Sequence, residues 1–341
     1  MGRYSDSSEQ RFRQLSEREF DWMQFNLFLM RQRFGESVRK AIAIDASYIS
    51  KSGKKTPYIG KFRSGCASAM KRGLEILGIG IINIDSRDCM MLRAEQTPDK
   101  AYPEKQGEDY NLVDRYLDVL RKYKDKLLDM TRYVVADAWF SKAKFVNDAC
   151  LMGFHVISRL RDDAALWYSH DGVRTGKRGR PRIKGEKIDF EKLDLQRCEI
   201  LDIEGGKAYS VKAYSKAMKR NIKAVVHYPK SGGHKIYFST DLDMSAKDII
   251  EYYSTRFRIE FCFYDKYIVM RSDQKSTINY QYDRRILLRS TSHNEDYFFS
   301  PLSQSLRFLL PSQDLSESRL GVRFIYAFSR ASRFAFESAR A

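Results

Sequence analysis

Residues 40–49, KAIAIDASYI, are a nearly unbroken apolar run with one carboxylate, Asp45, at its middle. A stretch of that character reads as a strand inside a sheet covered on both sides, which calls for a layered α/β architecture. The buried acid adds a second demand, because an ionised carboxylate in such a place is costly unless a cation or hydrogen-bond donors meet it. With 341 residues, 43% hydrophobic and 13% aromatic, the chain has the material for a full core.

The segments around this strand extend the pattern. GLEILGIGIINID (73–85) and DCMMLRAEQT (88–97) read as two more strands joined by a turn at Asp85, Ser86 and Arg87, so a three-strand meander is predicted. Leu112, Tyr116, Leu117, Leu120, Tyr123 and Leu127 fall on one side of a helix within 111–129. TRYVVADAWF then supplies a fourth strand, SKAKFVNDACLMG (141–153) a helix opened by Ser141 and closed by Gly153, and FHVISRL (154–160) a fifth strand. The order is β-β-β-α-β-α-β. Upstream, Phe20, Met23, Leu27 and Met30 have helical spacing within 9–36 and are predicted to pack on this core.

Beyond Arg161 the period changes. CEILDIEG, KAYSVKAY, IKAVVHYP and HKIYFST are short alternating runs between Gly, Pro and Lys turns, read as an all-β insertion with Gly232-Gly233 as a hairpin turn. SAKDIIEYYSTRFRIEFCF (245–263) resumes helical periodicity as one long helix, with Ser245 as N-cap and Asp248 in the place of a capping-box acid. The expected fold class is therefore α/β, a mixed sheet with helices, interrupted by an all-β insertion before a late helix.

Asp45 and Asp137 both stand in or near the end of a buried strand, and Glu260 lies on the late helix. The three are so distant in sequence that only the tertiary fold can bring them together. Three carboxylates with open positions suit Mg²⁺ or Mn²⁺, and a pair of such ions can activate a water or a 3′-hydroxyl and neutralise the leaving oxygen of a phosphodiester. The same residues also admit a plainer reading, in which Asp45 caps a turn, Asp137 pairs with an arginine and Glu260 is a surface acid. Tyr253, Arg256 and Glu260 are spaced i, i+3, i+7 and share one face of a continuous helix, so a phenol and a guanidinium suited to a phosphate stand beside the acid.

Composition points to the polymer that such a site acts on. Lys and Arg number 61 against 44 Asp and Glu, a net charge of +17 spread along the chain, which favours a polyanionic partner. KRGRPRIKG (177–185) is read as a basic loop whose Lys177, Arg178, Arg180 and Arg182 touch phosphates, and its Gly-Arg-Pro-Arg also resembles an AT-hook core. Trp167 reads more readily as a core residue than as a platform for an extruded base. Five scattered cysteines with no zinc spacing fit a reduced cytosol, and no signal peptide, membrane span or hydrolase triad is visible.

Three stretches together resemble a known family: AIAIDASYISKSGKKTP around Asp45, VVADAWFSKAKFVNDACLMGFHVISRLRDDAALWY around Asp137, and YYSTRFRIEF around Glu260. They are similar to the DDE transposases of bacterial insertion sequences, in the subgroup with a β-strand insertion before the catalytic glutamate. The resemblance covers residues 37–263. It implies an RNase-H-like sheet, two Mg²⁺ (or Mn²⁺) ions held by Asp45, Asp137 and Glu260, and metal-dependent nicking and strand transfer at element ends. Double-stranded DNA, both element ends and target, is the implied substrate, acted on by a homodimer in a synaptic complex, cytoplasmic and nucleoid-associated.

The family signature runs Tyr, two residues, Arg, three residues, Glu, six residues, Lys. Tyr253, Arg256 and Glu260 supply the first three, but Tyr267 stands where the lysine belongs and Lys266 is one residue early, about 100° around the helix. From Tyr264 on, arginines outnumber lysines ten to two and a single glycine remains, so a frameshift near codon 264 is inferred. The expected divisions are a helical remnant at 1–36, short for the family's DNA-binding region, a catalytic core at 37–160, the β insertion at 161–242, the catalytic helix at 243–268 and an atypical tail at 269–341. Two other readings stay open: an inactive remnant that still binds DNA, and an RNase-H-like nuclease or resolvase.

Overall fold

The computed structural model describes Gln10 and residues 21–52, 58–65, 67–98, 110–170, 184–203 and 205–264. The strand built on Asp45 is β1 (Lys40–Ser50), and its neighbours follow the sequence expectation closely. It pairs antiparallel with β3 (Ala69–Asn83), which pairs antiparallel with β4 (Asp88–Thr97). On its other side β1 runs parallel to β5 (Tyr133–Ala136), and β5 parallel to β6 (His155–Leu160). Alternate residues of β1 serve two cores. Ile42 and Ile44 join a cluster with Met23, Leu27 and Met30 of α1 (Trp22–Phe34) and Tyr116, Leu117 and Leu120 of α2 (Leu112–Lys122). Ala41 and Ala43 join a second cluster on the opposite face, with Ile249 and Ile259 of the late helical segment.

Several elements depart from expectation, each for a local reason. A short strand, β2 (Gly60–Ser64), pairs with the first residues of β3, which begins at Ala69 rather than at Gly73. The helix expected over 111–129 is split at Tyr123 into α2 and α3 (Lys124–Leu128), although its capping box, Asn111 with Asp114, is intact. The next helix, α4 (Ala143–Leu151), is not opened by Ser141. That hydroxyl instead donates to the Arg159 carbonyl at 2.8 Å and lies 2.8 Å from the Ser158 hydroxyl, tying the loop after β5 to β6.

The segment after Arg161 forms β7 (Leu166–Ser169), β8 (Lys184–Lys187), β9 (Glu199–Ile203), β10 (Gly206–Ser215), β11 (Arg220–Pro229) and β12 (Lys235–Ser239). The last four follow the expected runs, and Gly232 and Gly233 make the hairpin turn at φ 92° and 72°, where a side chain would be strained. These strands do not stand apart from the first six. β12 pairs antiparallel with β6, so one twelve-stranded sheet runs through the described residues. Trp167, on β7, is half-buried with the Lys184 ammonium 4.7 Å from its ring centre.

The long late helix is two helices, α5 (Ala246–Thr255) and α6 (Arg258–Tyr264), with a turn at Arg256 and Phe257. Ser245 caps α5, accepting from the Asp248 amide at 3.0 Å, as the sequence foretold. The break has a chemical cause. The Ser254 hydroxyl donates to the Glu251 carbonyl and the Thr255 hydroxyl to the Tyr252 carbonyl, each three residues back, where they compete with the helical amide ladder. The amides of Arg256, Ile259 and Glu260 accordingly bond three residues back, not four. Among the described residues no helix is long and apolar enough to cross a membrane.

Candidate active site

Asp45 lies where β1 passes from fully buried to half-buried residues, opposite Gly78 of β3. One carboxylate oxygen accepts from the Ala46 amide at 2.9 Å, and the other stands 3.7 Å from a guanidinium nitrogen of Arg256. With its side chain 18% exposed, Asp45 is costly to ionise. Burial is the main cause that pushes its carboxyl up to about 6, Arg256 opposes the rise, and the charges of Asp137 and Glu260 add to it. Three acids far apart in sequence therefore share one electrostatic field.

Asp137 is the residue immediately after β5, and β5 lies parallel to β1 in register, Ala136 beside Ile44. Its carboxylate accepts from the Trp139 amide at 2.8 Å and so caps the single 3-10 turn Ala138–Phe140. Its carbonyl accepts from the Ser158 hydroxyl at 2.9 Å. The plainer reading of the sequence had these two partners reversed: Asp137 caps the turn, and Asp45 pairs with the arginine.

Glu260 arrives on α6. Despite the turn between the helices, Arg256 reaches it, with a guanidinium nitrogen 3.1 Å from a carboxylate oxygen. Arg256 therefore bridges Asp45 of the sheet and Glu260 of the helix. Glu260 is half exposed, so this contact is worth little in stability, and its consequence is positional. Tyr253 packs its ring 5.1 Å from that of Tyr237 on β12. Burial raises its phenol above the usual tyrosine range, Arg256 counteracts this, and Asp137 reinforces it. All five residues, Asp45, Asp137, Tyr253, Arg256 and Glu260, thus meet at one place. Lys177, Arg178, Arg180, Arg182 and Lys266, expected to touch DNA, lie outside the described residues.

Some residues at the site were not foreseen. Arg159 of β6 is held by Asp162 at 2.8 Å, which raises it above the usual arginine range, while its buried Nε has no hydrogen-bond partner. Its charge acts on Tyr253 and Tyr237. Lys142 lies with its ammonium 3.4 Å from the ring centre of Trp139. Burial lowers it, and Asp137 works the other way. The cue that found Asp45, a polar residue within an apolar strand, applies equally to Ser158 and Arg159 in FHVISRL. Lys142 gave no such cue.

Chemically the arrangement offers three carboxylates from two parallel strands and a helix, rimmed by Arg256, Arg159, Lys142 and Tyr253. Among the described residues no group of three or more acid, histidine or cysteine side chains stands arranged to hold a metal ion. The donor set nevertheless suits a hard cation. Asp45 is desolvated and repelled by two further acids, and Arg256 is the positive charge that offsets them.

The family model described as "Transposase DDE domain" matches residues 36–277, more than half of the chain. Similar solved structures include Endonuclease V of Bacillus subtilis, 12% identical over 74% of this chain and 84% of that one, with a TM-score of 0.30. The Ciona intestinalis Endonuclease V in complex with a 24mer DNA is 12% identical over 69% and 87%, TM-score 0.30. The catalytic domain of human Endonuclease V is 10% identical over 74% and 91%, TM-score 0.32. Resemblances at these scores bear neither on the fold nor on the activity of this chain. No curated protein matches it.

Proposed function

The chain belongs to the Transposase DDE domain family, and on that premise we propose that it is a DNA transposase that nicks the ends of an insertion sequence and joins them to target DNA. The observation that supports this most is Arg256 between Asp45 and Glu260, with Asp137 acting on the same carboxylate. The strand order β4-β3-β1-β5-β6, with two antiparallel and two parallel pairings, supports reading this part as an RNase-H-like core. On that reading β7 to β12 are the insertion before the catalytic helix.

Asp45, Asp137 and Glu260 are the proposed ligands of two Mg²⁺ or Mn²⁺ ions. When bound, such ions lower the pKa of a water or 3′-hydroxyl and spread the charge of the phosphoryl transition state. The chain's own residues do the rest. Arg256 and Tyr253 bind non-bridging phosphate oxygens, the arginine through its fork of N–H donors and the tyrosine through its hydroxyl. The Trp139 amide holds the Asp137 carboxylate in one rotamer, and the Ser158 hydroxyl fixes the backbone beneath it. The basic surface tracks the duplex without reading its sequence.

A second reading has one observation behind it. Tyr267 occupies the signature's lysine position, as expected of a DNA-binding remnant that no longer cuts. A nuclease acting on RNA/DNA hybrids is a third. One assay separates all three: duplexes carrying element ends, and a hybrid, incubated with Mn²⁺. The transposase reading expects nicking of the duplex ends, abolished by Asp45→Ala with DNA binding retained. Salt-sensitive binding without cleavage favours the remnant, and cleavage of the hybrid alone favours the nuclease. Proposed partners are the element ends, the target DNA and a second copy of the chain in a synaptic complex.

A further inference from the structure

Between the sheet and α6 lies a contact that only glycine permits. Gly78, directly opposite Asp45 in the β1–β3 ladder, is buried beneath this helix. A Cβ built there would meet the Phe263 ring at 2.6 Å and the Met91 methyl at 2.9 Å. Two residues on, a Cβ at Gly80 would meet the Cys89 sulfur at 3.1 Å, the Met90 carbonyl at 3.3 Å and the Ile259 methyl at 3.5 Å. Directly opposed residues of an antiparallel pair project to one face, so the missing side chain at Gly78 leaves space on the face that Asp45 occupies. Ile259 and Cys262, both buried, fill the rest of this contact from the helix side.

We propose that Gly78, with Gly80, is a positioning residue of the catalytic centre: the bare strand is the seat on which α6 is set down, and this seating fixes Glu260 at the distance from Asp45 that Arg256 spans. The inference rests on the assignment of Asp45 and Glu260 as metal ligands. Three features make it specific. Of the two contacts at Gly78 below 3.0 Å, the end of the Met91 side chain can swing aside, so the strain falls on the rigid ring of Phe263, which α6 carries. The affected helix is the one that carries Glu260. The ion pair that ties Glu260 to the site, through Arg256, comes from the turn between the helices, whereas Ile259, Phe263 and the Cys262 thiol on the Cys89 carbonyl hold α6 itself to the sheet.

Strand β3 contains its own control. A Cβ at Gly73 would meet the Ile49 carbonyl at 2.3 Å and the Tyr48 ring at 2.6 Å, a harsher clash, but one with β1 and nowhere near α6. The test measures Mn²⁺ binding to the full chain by titration against the paramagnetic signal of free Mn²⁺, alongside thermal melting and nicking of an end duplex. Gly78→Val is expected to weaken Mn²⁺ binding on the order of 10-fold or more, the scale seen when groups that orient ligands are altered. Gly73→Ala is expected to lower the melting temperature while leaving Mn²⁺ binding unchanged. Should Gly78→Val not fold, Gly78→Ala serves in its place, and adding Phe263→Ala should restore Mn²⁺ binding by vacating the space.

Unchanged Mn²⁺ binding in the Gly78 variants, a loss with Gly73→Ala as large as theirs, or no recovery on adding Phe263→Ala would each overturn the proposal. Asp45→Ala distinguishes its failure from that of the reading beneath it. If Asp45→Ala leaves Mn²⁺ binding intact, the ligand assignment fails. If Asp45→Ala abolishes binding while Gly78→Val does not weaken it, the positioning role alone fails.

Discussion

Asp45 and Arg256 are coupled closely enough for the acid to report on the site by its effect on stability. The Asp45 carboxyl is raised from the ordinary 3.8 to about 6, chiefly by burial, so between those values the folded state holds a proton that the unfolded chain has lost. The stability this gives is fully present below about pH 3.8 and disappears as pH rises through about 6. Without divalent cations, Asp45→Asn should therefore match the parent near pH 4 and exceed its stability at pH 7.5 by on the order of 2–3 kcal/mol. Denaturant melts in chelator at the two pH values check this, and a less stable mutant at pH 7.5 would mean that the Arg256 pairing outweighs burial. Arg256→Gln should push Asp45 higher still, moving the same fall in stability to higher pH. At this scale the sequence was a good guide where a charge interrupted an apolar run, as at Asp45 and Asp137. It was a poor guide to partners, because whether an arginine stands beside Asp45 depends on how α5 ends, and no spacing rule encodes that.

Elements with strong periodicity and clear caps were legible: β1, β4, β6, the strands β9 to β12, and the Ser245 cap. Breaks within helices were not. Ser254 and Thr255 are compatible with helix by pattern, and only their hydroxyl bonds to Glu251 and Tyr252 show why α5 stops before α6 begins. The strand β2 and the early start of β3 were missed because GKFRS and AMKR carry too little apolar alternation to announce themselves. The cap offers an element-scale prediction. Ser245→Ala removes the acceptor of the Asp248 amide and should cost about 1 kcal/mol of stability. Because α5 carries Tyr253 and leads into Arg256, nicking should fall more than thermal stability does. Ser158→Ala removes one of the two donors to the Asp137 carbonyl, the Phe140 amide remaining, and should cost about 0.5–1.5 kcal/mol. Circular dichroism melts measure both.

Across the molecule, the net charge of +17 and the sheet act together. Binding to a duplex should weaken steeply with salt, on the order of 10³-fold or more from 50 to 200 mM if about six phosphates are engaged, whatever the sequence. A flat salt response in a fluorescence-anisotropy titration would count against backbone tracking. The mixed sheet was readable from the order of elements, whereas its extent was not. Nothing in HKIYFST says that β12 will lie along β6, register Phe238 to Ser158, and carry the sheet on without interruption. That pairing has a consequence for solubility. Were β6 the last strand, its row of amides and carbonyls would stand open next to the acids, ready to template a strand from another molecule. β12 closes that margin from within the same chain. A proline at Phe238, which lies opposite Ser158 and, two residues from the Thr240 amide that bonds the Val156 carbonyl, turns its own amide toward β6, would unzip it, and the first sign should be turbidity on concentrating the protein.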